Sequence, residues 1–547
     1  MTSEQDQWLY FNGIDVSTGE YGLPPMTKEV LMRLVLQAPE PEDKDALAAR
    51  SQRDELERSG HLGVKEGVDP LDLAQSGWGM ILLATADPEA RARQAAIREA
   101  LSELLRWRAA EAGPKLEIYD GPKGYRPGES KAKWLLRNGA APSGPADPDK
   151  LPYYLMIVGS PAEIPYAFQY QLDVQYAVGR LWFPTVQEYA NYARNVVAAE
   201  RDGLGRARTL SFFGARSEGD RATELSAERL VRPLSEAMTR EAKGWDVSTF
   251  LAEQASHATL QSLLGGDRTP ALLFTASHGA ELPMADPELQ RRHQGALLCS
   301  DWPGPNGHKG PIERGWYFAG EDLSASADVS GMMLFCFACF GAGTPQHDEF
   351  RRTKPGAPRA EIAPAPFMSA LPLALLGRPS GALAVIGHVD RAWGCSFTDG
   401  GPTGKSYTTT FESSLLRLLD QQPVGHALDY FNARYAELST ALTEELQDEF
   451  KEPDANELIP LWTSNNDARG YVVLGDPAAR LCFSKRSIRP LESGAGWVQM
   501  QAQAEAQPAD WEAPQVIARP AEISVDDWSR TPEAVKRFID ERLNARR

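Results

Sequence analysis

Short, continuous apolar runs that alternate with helix-like segments constrain the fold of this chain more than any other feature. The runs lie at Trp78–Ala84, Tyr153–Gly159, Tyr176–Leu181, Thr209–Gly214, Leu272–Ala276, Met332–Phe337, Gly381–Gly387 and Tyr471–Gly475, and Trp245–Leu251 is predicted as a further strand. Helix-period segments separate several of them, as at Asp87–Ala110, Val186–Arg201 and Ala222–Glu241. Strands without polar alternation are typical of parallel sheets covered on both faces. The sequence therefore predicts an α/β fold with mainly parallel sheets covered by helices.

The length of 547 residues exceeds what one hydrophobic core usually supports, so several domains are expected. A polar, glycine-containing join at Arg201–Arg206 is the candidate boundary between two α/β halves. We predict an N-terminal extension of regulatory type over 1–74 and a first α/β subdomain over 75–204. A catalytic α/β subdomain over 205–485 and a C-terminal linker with a docking helix over 486–547 complete the division.

Composition excludes several partners and compartments. The net charge of -18 argues against binding to nucleic acid or to an anionic membrane. No apolar stretch approaches the ~20 residues that a membrane helix needs. The opening residues carry no secretory signal pattern, and the five cysteines do not resemble a disulfide framework. These features predict a cytoplasmic protein.

A cysteine and a histidine follow two of the predicted strands. Cys339 comes directly after the run Met332–Phe337 and Ala338, and Gly341 follows it. His278 stands in the equivalent position after Leu272–Ala276. Chemistry in parallel α/β sheets collects outside the carboxyl ends of strands, and a thiol nucleophile needs a nearby base. Two such strands side by side predict a Cys339–His278 dyad that needs neither a metal nor an organic cofactor.

Cys339 is also compatible with three roles besides that of a nucleophile. Most free cysteines are small buried hydrophobes. Cys336 and Cys339 form a C-x-x-C pair, which is typical of thiol oxidoreductases and of zinc sites. Zinc would require a second pair, and the remaining cysteines are scattered. A redox pair usually opens a helix, whereas Cys336 lies within a predicted strand.

Two predicted loops have compositions that suggest a specific role. The opening segment Phe11–Glu20 carries oxygen-bearing side chains, which we interpret as a capped turn rather than a calcium loop. The segment Gly343–Pro366 is rich in proline and basic residues, and such exposed loops are preferred sites of proteolysis. We predict that cleavage in this second loop, near Arg351, Arg352, Lys354 and Arg359, activates a zymogen; an inert surface insertion is the alternative.

The order of these segments resembles that of caspase-like (clan CD) cysteine peptidases of the gingipain type. The similar segments include Leu155–Gly159, Ala177–Arg180, Phe274–Gly279, Phe337–Gly341, Ala384–Gly387 and Leu474–Pro477, and together they span about 75–485. The chain also has some similarity to the cytosolic CHAT proteases of bacterial signalling systems. The resemblance implies two Rossmann-like subdomains with mainly parallel sheets, and a dyad in the second.

The resemblance also implies roles for individual residues. His278 matches the catalytic histidine and Cys339 the nucleophile, while Glu218 is expected to orient the histidine. Trp393 is expected to form a wall of the specificity pocket. The backbone N–H groups of Gly279 and Cys339 are placed to stabilise an oxyanion.

The expected function is a regulated cytosolic cysteine endopeptidase. Its partners would be protein or peptide substrates and an activating protease, and a bacterial defence pathway is implied by the similarity to CHAT proteases. Cleavage after Arg, or after Lys, is expected because Asp220 and Glu224 follow Glu218 and a carboxylate binds guanidinium well. The alternatives are an inactive scaffold of the same fold and a C-x-x-C oxidoreductase.

The sequence differs from gingipains and from caspases in one feature each. Gingipains carry leader and surface-attachment segments that are not evident in this sequence. Phe337 stands where caspases have a glutamine, so the sequence gives no support for cleavage after Asp.

Overall fold

A computed structural model describes residues 8–36, 63–203, 205–352, 359–394, 397, 408–447 and 455–486. Ten of its strands form one central sheet. In chain order these are β4 (Trp78–Ile81), β5 (Leu116–Tyr119), β6 (Tyr154–Val158), β7 (Ala177–Leu181), β8 (Thr209–Gly214), β9 (Asp246–Leu251), β10 (Leu272–Ala276), β14 (Met333–Phe337), β19 (Ala384–His388) and β20 (Tyr471–Gly475). Their order across the sheet is β5-β4-β6-β7-β20-β19-β14-β10-β8-β9.

The remaining strands are short. They are β1 (Trp8–Leu9), β2 (Gly13–Asp15), β3 (Met26–Thr27), β11 (Gly279–Glu281), β12 (Leu297–Leu298), β13 (Tyr317–Phe318), β15 (Gly343–Thr344), β16 (His347–Arg352), β17 (Arg359–Glu361) and β18 (Phe367–Met368). Strands β13, β12, β11 and β2 form a small sheet beside the central one. The small sheet thus joins the N-terminal segment to the strand that follows His278.

Helices connect the strands. The α-helices span Lys28–Leu36, Leu73–Ser76, Pro88–Ala100, Ser102–Ala112, Lys131–Arg137, Tyr166–Asp173, Val186–Asp202, Arg221–Leu225, Arg232–Glu241, His257–Leu263, Pro287–His293, Gly304–Gly307, Ala370–Gly377, Thr409–Leu419, Val424–Ala427, Asp429–Gln447 and Ala455–Gly470. The helix predicted over Ala222–Glu241 is interrupted by a π-helical turn, Ser226–Val231. Such turns often occur at functional sites.

The central sheet consists of two parallel halves that run in opposite directions. Neighbouring strands are parallel except at β19–β20, which pair antiparallel from Ala384–Gly475 to His388–Tyr471. Strand β20 is parallel to β7 and therefore extends the first half, although it comes last in the chain. The central strands are almost fully buried, which explains their continuous apolar sequences. The predicted α/β class with a mainly parallel, helix-covered sheet is confirmed.

Two of the predicted segments fall wholly or partly outside the described residues. The C-terminal linker and docking helix predicted over 486–547 lie outside them from 487 onward, and so do residues 1–7 and 37–62 of the N-terminal extension. Within the described ranges, no helix is long and apolar enough to cross a bilayer.

Candidate active site

The ends of β10 and β14 bring His278 and Cys339 to the same edge of the sheet. The two strands pair in parallel, with Ala276 opposite Phe337, and the Ser277 N–H donates to the Phe337 carbonyl at 3.1 Å. The backbones then touch, because a Cβ built on Gly279 would lie 1.8 Å from the carbonyl oxygen of Cys339. Only glycine fits there, so the His-Gly sequence allows the two strand ends to meet.

A sharp turn directly after Cys339 fixes the position of its thiol. The next residue, Phe340, has a positive φ of 58°, and Asp390 has one of 78°. The Phe340 N–H donates to the Asp390 carbonyl at 2.7 Å, while the Ala392 N–H donates to the Cys339 Sγ at 3.2 Å. Non-glycine residues rarely adopt this conformation, and such strain clusters at functional sites.

The acid that contacts His278 differs from the sequence prediction. The imidazole Nε2 lies 2.7 Å from Oδ2 of Asp220. The side chain of Glu218, the residue predicted for this role, is exposed to solvent. Gly219 has a positive φ of 75°, and this turn directs the carboxylate of the next residue into the protein. The second imidazole nitrogen, Nδ1, is buried and has no hydrogen-bond partner among the described residues.

Asp220 is held as a carboxylate by several donors. Tyr21 donates its hydroxyl to Oδ1 and Thr223 donates to Oδ2, each at 2.5 Å. Burial alone would raise the pKa of Asp220, but His278 and the hydroxyl donors outweigh it and lower that pKa. A carboxylate on Nε2 fixes the tautomer that carries its proton there, so Nδ1 is the nitrogen able to accept one.

The residues expected to bind an arginine side chain have partners within the protein. Asp220 is fully buried against His278, Tyr21 and Thr223. Glu224 pairs with its neighbour Arg221 at 3.3 Å. The carboxylates that suggested cleavage after Arg are therefore already engaged.

The cleft is filled by the N-terminal segment, defined here as residues 8–27. The carbonyl oxygen of Asn12 accepts the Gly279 N–H at 2.8 Å and the Cys339 N–H at 3.3 Å. These are the two donors that the sequence predicts for an oxyanion. A peptide carbonyl of the chain itself thus lies where the sequence predicts that a substrate carbonyl would bind.

The same segment pairs with the backbone beyond Cys339. The Asn12 N–H donates to the Ala392 carbonyl at 3.0 Å, and the Gly394 N–H donates to the Tyr10 carbonyl at 3.2 Å. Phe11 forms an antiparallel bridge with Trp393. Trp393, the residue expected to form a wall of the specificity pocket, is buried and contacts Phe11. The ring of Phe11 therefore occupies the space beside this wall.

Both residues of the predicted dyad are isolated from solvent. His278 and Cys339 are both 0% exposed. Burial raises the pKa of the Cys339 thiol, and the nearby Arg391 guanidinium and the Ala392 N–H oppose this only in part. Cys339 is therefore held as a thiol in this state, and its thiolate, the reactive form, is disfavoured.

A buried charge cluster supports the floor of the cleft. Arg391 pairs with Glu281 at 2.7 Å and with Asp348 at 2.9 Å. A Cβ built on Gly13 would lie 3.7 Å from the Arg391 guanidinium, so the cluster adjoins the N-terminal segment. Glu281 belongs to β11, which pairs with β2. The cluster therefore fixes the strand on which the segment rests.

The other residues that the sequence analysis singled out are the remaining cysteines and the basic residues of the predicted processing loop. Cys336 is buried and, like Cys299, Cys339 and Cys482, it is a free thiol. Within the described residues, no cluster of His, Cys, Asp and Glu could hold a metal ion. In the predicted processing loop, Arg351 and Arg352 lie on β16 and Arg359 begins β17, which pairs with it. Lys354 lies outside the described residues.

Comparisons with known proteins give distant structural similarity only. No family model and no curated protein matches the chain. A crystal structure of the Arg-specific cysteine proteinase gingipain R (RGPB) aligns over 78% of this chain and 82% of its own, with 11% identity and a TM-score of 0.43. A protease structure aligns over 76% and 80%, with 13% identity and a TM-score of 0.42. The complex of Porphyromonas gingivalis RgpB pro- and mature domains aligns over 75% and 81%, with 10% identity and a TM-score of 0.34.

Proposed function

We propose that this protein is a cysteine endopeptidase whose active site is closed by its own N-terminal segment. The observation that carries the proposal is the position of the Asn12 carbonyl, which accepts the N–H groups of both Gly279 and Cys339. Paired backbone donors beside a thiol are what acyl transfer requires. The buried imidazole–carboxylate pair supplies the matching base.

The chemistry follows from these positions. His278 takes the proton of the Cys339 thiol, and the thiolate attacks a substrate carbonyl bound at the Gly279 and Cys339 N–H groups. The carbon–nitrogen bond breaks as His278 gives the proton to the departing amine. Water then hydrolyses the thioester and regenerates the thiol. Asp220 stabilises the imidazolium that forms during the transfer.

The alternatives explain fewer of these contacts. A thiol oxidoreductase would use Cys336 with Cys339, but the pair does not account for His278, Asp220 or the carbonyl in the cleft. An inactive scaffold accounts for the fold but gives no reason for a buried His–Asp pair at the same edge of the sheet as a strand-end thiol. Hydrolysis of a peptide bond uses all of them.

We also propose that the enzyme is inactive until its active site is uncovered. The sequence predicts cleavage of the loop near Arg351 and Arg352, whereas the contacts of the cleft favour the N-terminal segment as the inhibitory element. Protein or peptide substrates and an activating protease remain the proposed partners. A cytoplasmic location and a bacterial defence role stay predictions from the sequence.

A labelling and cleavage experiment tests the proposal. The full chain and its Phe11→Ala variant, in which the cover is loosened, are treated with a thiol-reactive peptide probe and with a peptide library read by mass spectrometry. We expect label on Cys339 and cleavage that Cys339→Ala and His278→Ala abolish. Cys336→Ala is the matched control and should stay active. A protein that neither labels at Cys339 nor cuts any peptide in either form is not a peptidase.

A further inference from the structure

We infer that the N-terminal segment is bound as a substrate, that Cys339 cuts the Asn12–Gly13 bond, and that the enzyme selects asparagine before the cut. This inference rests on the proposed function and adds the scissile bond and the substrate class. It replaces the expectation of cleavage after Arg.

The backbone of the segment follows the path of a substrate. Tyr10 to Asn12 pair antiparallel with residues 392–394, which fixes the register at the cleft. That register places the Asn12 carbonyl, and no neighbouring one, on the Gly279 and Cys339 donors. The Asn12–Gly13 bond is therefore the peptide bond that the site activates.

The residue after the bond lies against the thiol. A Cβ built on Gly13 would be 3.2 Å from Sγ and 3.3 Å from Cβ of Cys339. These distances are tighter than usual for a side chain, so glycine at position 13 leaves room for the sulfur beside the segment. From Gly13 onward the segment pairs with β11, with Gly13 opposite Gly279. The segment thus crosses the site, with chain held on both sides of the bond.

The Asn12 side chain is enclosed by the protein. The residue is 0% exposed. Its Nδ2 lies 3.4 Å from Ser226 Oγ and 3.5 Å from the Ser277 carbonyl oxygen, while its Oδ1 is buried and has no hydrogen-bond partner among the described residues. The Ser226 hydroxyl donates to the Thr223 carbonyl at 3.2 Å, which leaves its lone pairs for the amide. The π-helical turn that begins at Ser226 brings this hydroxyl into the pocket.

Two acceptors facing one amide nitrogen discriminate between similar side chains. Aspartate has the shape of asparagine but would present an oxygen to both acceptors, leaving buried groups unpaired. Arginine is too long for a pocket closed by Ser226, and Asp220 is already bound to His278. Sites built around such hydrogen bonds reject the mismatched analogue strongly.

The proposed self-cleavage balances as an ordinary acyl transfer. The thiol proton of Cys339 passes to His278, and Sγ bonds to the Asn12 carbonyl carbon. The bond to the Gly13 nitrogen breaks, and His278 returns the proton to that nitrogen as a free amine forms. Water hydrolyses the thioester, so the N-terminal fragment leaves with a carboxylate on Asn12.

Cleavage would open one side of the cleft. Tyr10, Phe11 and Asn12 would leave residues 392–394 and expose the strand edge on which a substrate pairs. Gly13–Asp15 would stay on β11, and Tyr21 would stay on Asp220. The change would therefore release the substrate channel while keeping the His278–Asp220 pair intact.

The first experiment follows the bond itself. Purified full-length protein is incubated and analysed by intact mass and N-terminal sequencing. We expect a new terminus at Gly13, formed at a rate that dilution does not change, and absent in Cys339→Ala and Asn12→Asp. The Asn138–Gly139 and Asn306–Gly307 bonds are matched controls for spontaneous Asn–Gly chemistry and should stay intact. A terminus at Gly13 in Cys339→Ala would overturn the inference.

The second experiment separates the inference from the proposed function. Fluorogenic Tyr-Phe-Asn, Tyr-Phe-Asp and Tyr-Phe-Arg peptides are given to the wild type and to Phe11→Ala. We expect the Asn peptide to be preferred by at least about 100-fold, and Ser226→Ala to reduce that preference by about 10-fold.

Each contrary result has a distinct meaning. Cys339-dependent cleavage after Arg or Asp, with Asn12–Gly13 intact, overturns the inference and leaves the peptidase standing. Cleavage of Asn peptides by a protein whose Asn12–Gly13 bond never breaks overturns self-cleavage. No cleavage and no label on Cys339 overturns both proposals.

Discussion

The ring of Phe11 packs on that of Trp393, with centroids 3.5 Å apart and planes tilted by 49°. The contact joins the N-terminal segment to the wall of the cleft, and both side chains are buried. The segment also occupies the site through backbone hydrogen bonds, and this aromatic pair adds an apolar contact in the cleft. Loss of the pair should therefore raise the fraction of molecules with an open site.

We predict that Phe11→Ala increases the rate of Cys339 alkylation by about 10-fold or more, because a buried aromatic pair contributes about 0.5–1.5 kcal/mol in addition to the burial of its apolar area. The rate is measured with a small alkylating reagent and peptide mass spectrometry. Trp8→Ala is the matched control, since Trp8 lies in the same segment with 41% of its surface exposed. Equal rates in the two variants would show that Phe11 does not hold the cover.

The acid that orients His278 can be identified by neutral substitutions. Asp220→Asn should lower kcat on the order of 100-fold or more with little change in KM, because the imidazole loses its charged partner and not a substrate contact. Glu218→Gln should leave kcat unchanged, since that side chain faces solvent. Steady-state kinetics on the best peptide decide the matter. A loss confined to Glu218→Gln would restore the assignment made from sequence.

The difference between these two acids shows what the sequence could predict. The apolar runs placed His278 and Cys339 at strand ends, and the structure brings the two ends together because β10 and β14 are neighbours. Glu218 and Asp220 share one turn, and the positive φ of Gly219 decides which carboxylate faces inward. The order of the residues does not reveal this turn, and the glycine between the two acids is the one local signal that could have suggested it.

The position of the N-terminal segment in the cleft could not be predicted from the sequence for a different reason. Asn12 contacts the Ser277 carbonyl from 265 residues away, so no local pattern links them. The sequence predicted a capped turn, and the Asp15 carboxylate does accept the Ser17 N–H at 2.8 Å. What local pattern could not show is that the strand before this turn, β2, pairs with β11.

A buried ion cluster joins the two ends of the fold. Arg108 bonds Glu200 and Asp476, each at 2.7 Å, and all three side chains are fully buried. We predict that Arg108→Met lowers the free energy of unfolding by about 3–5 kcal/mol, because the buried Asp476 loses its ion-pair partner and the buried Glu200 keeps only Arg486. Urea unfolding measures the change. Arg201→Met is the control, with an exposed partner in Asp202 and an expected loss within about 1 kcal/mol. Similar losses in both would contradict the prediction.

The pH dependence of Cys339 alkylation should report whether the cleft is covered. Burial raises the pKa of this thiol above its usual value, so in the intact protein the alkylation rate should keep rising through the alkaline range. Release of residues up to Asn12, or Phe11→Ala, admits water and favours the thiolate. The midpoint should then fall by at least about 1 pH unit.

Cys482 provides an internal control for this measurement. Burial raises its pKa to about 11, and its charged neighbours, Glu200 and Arg486 first among them, do not belong to the N-terminal segment. Its alkylation profile should be the same in the intact, cleaved and Phe11→Ala proteins. A Cys339 profile as unchanged as that of Cys482 would mean that the segment does not determine the ionisation of the nucleophile. A shift at Cys339 alone ties that ionisation to the contact between Asn12 and the strand ends.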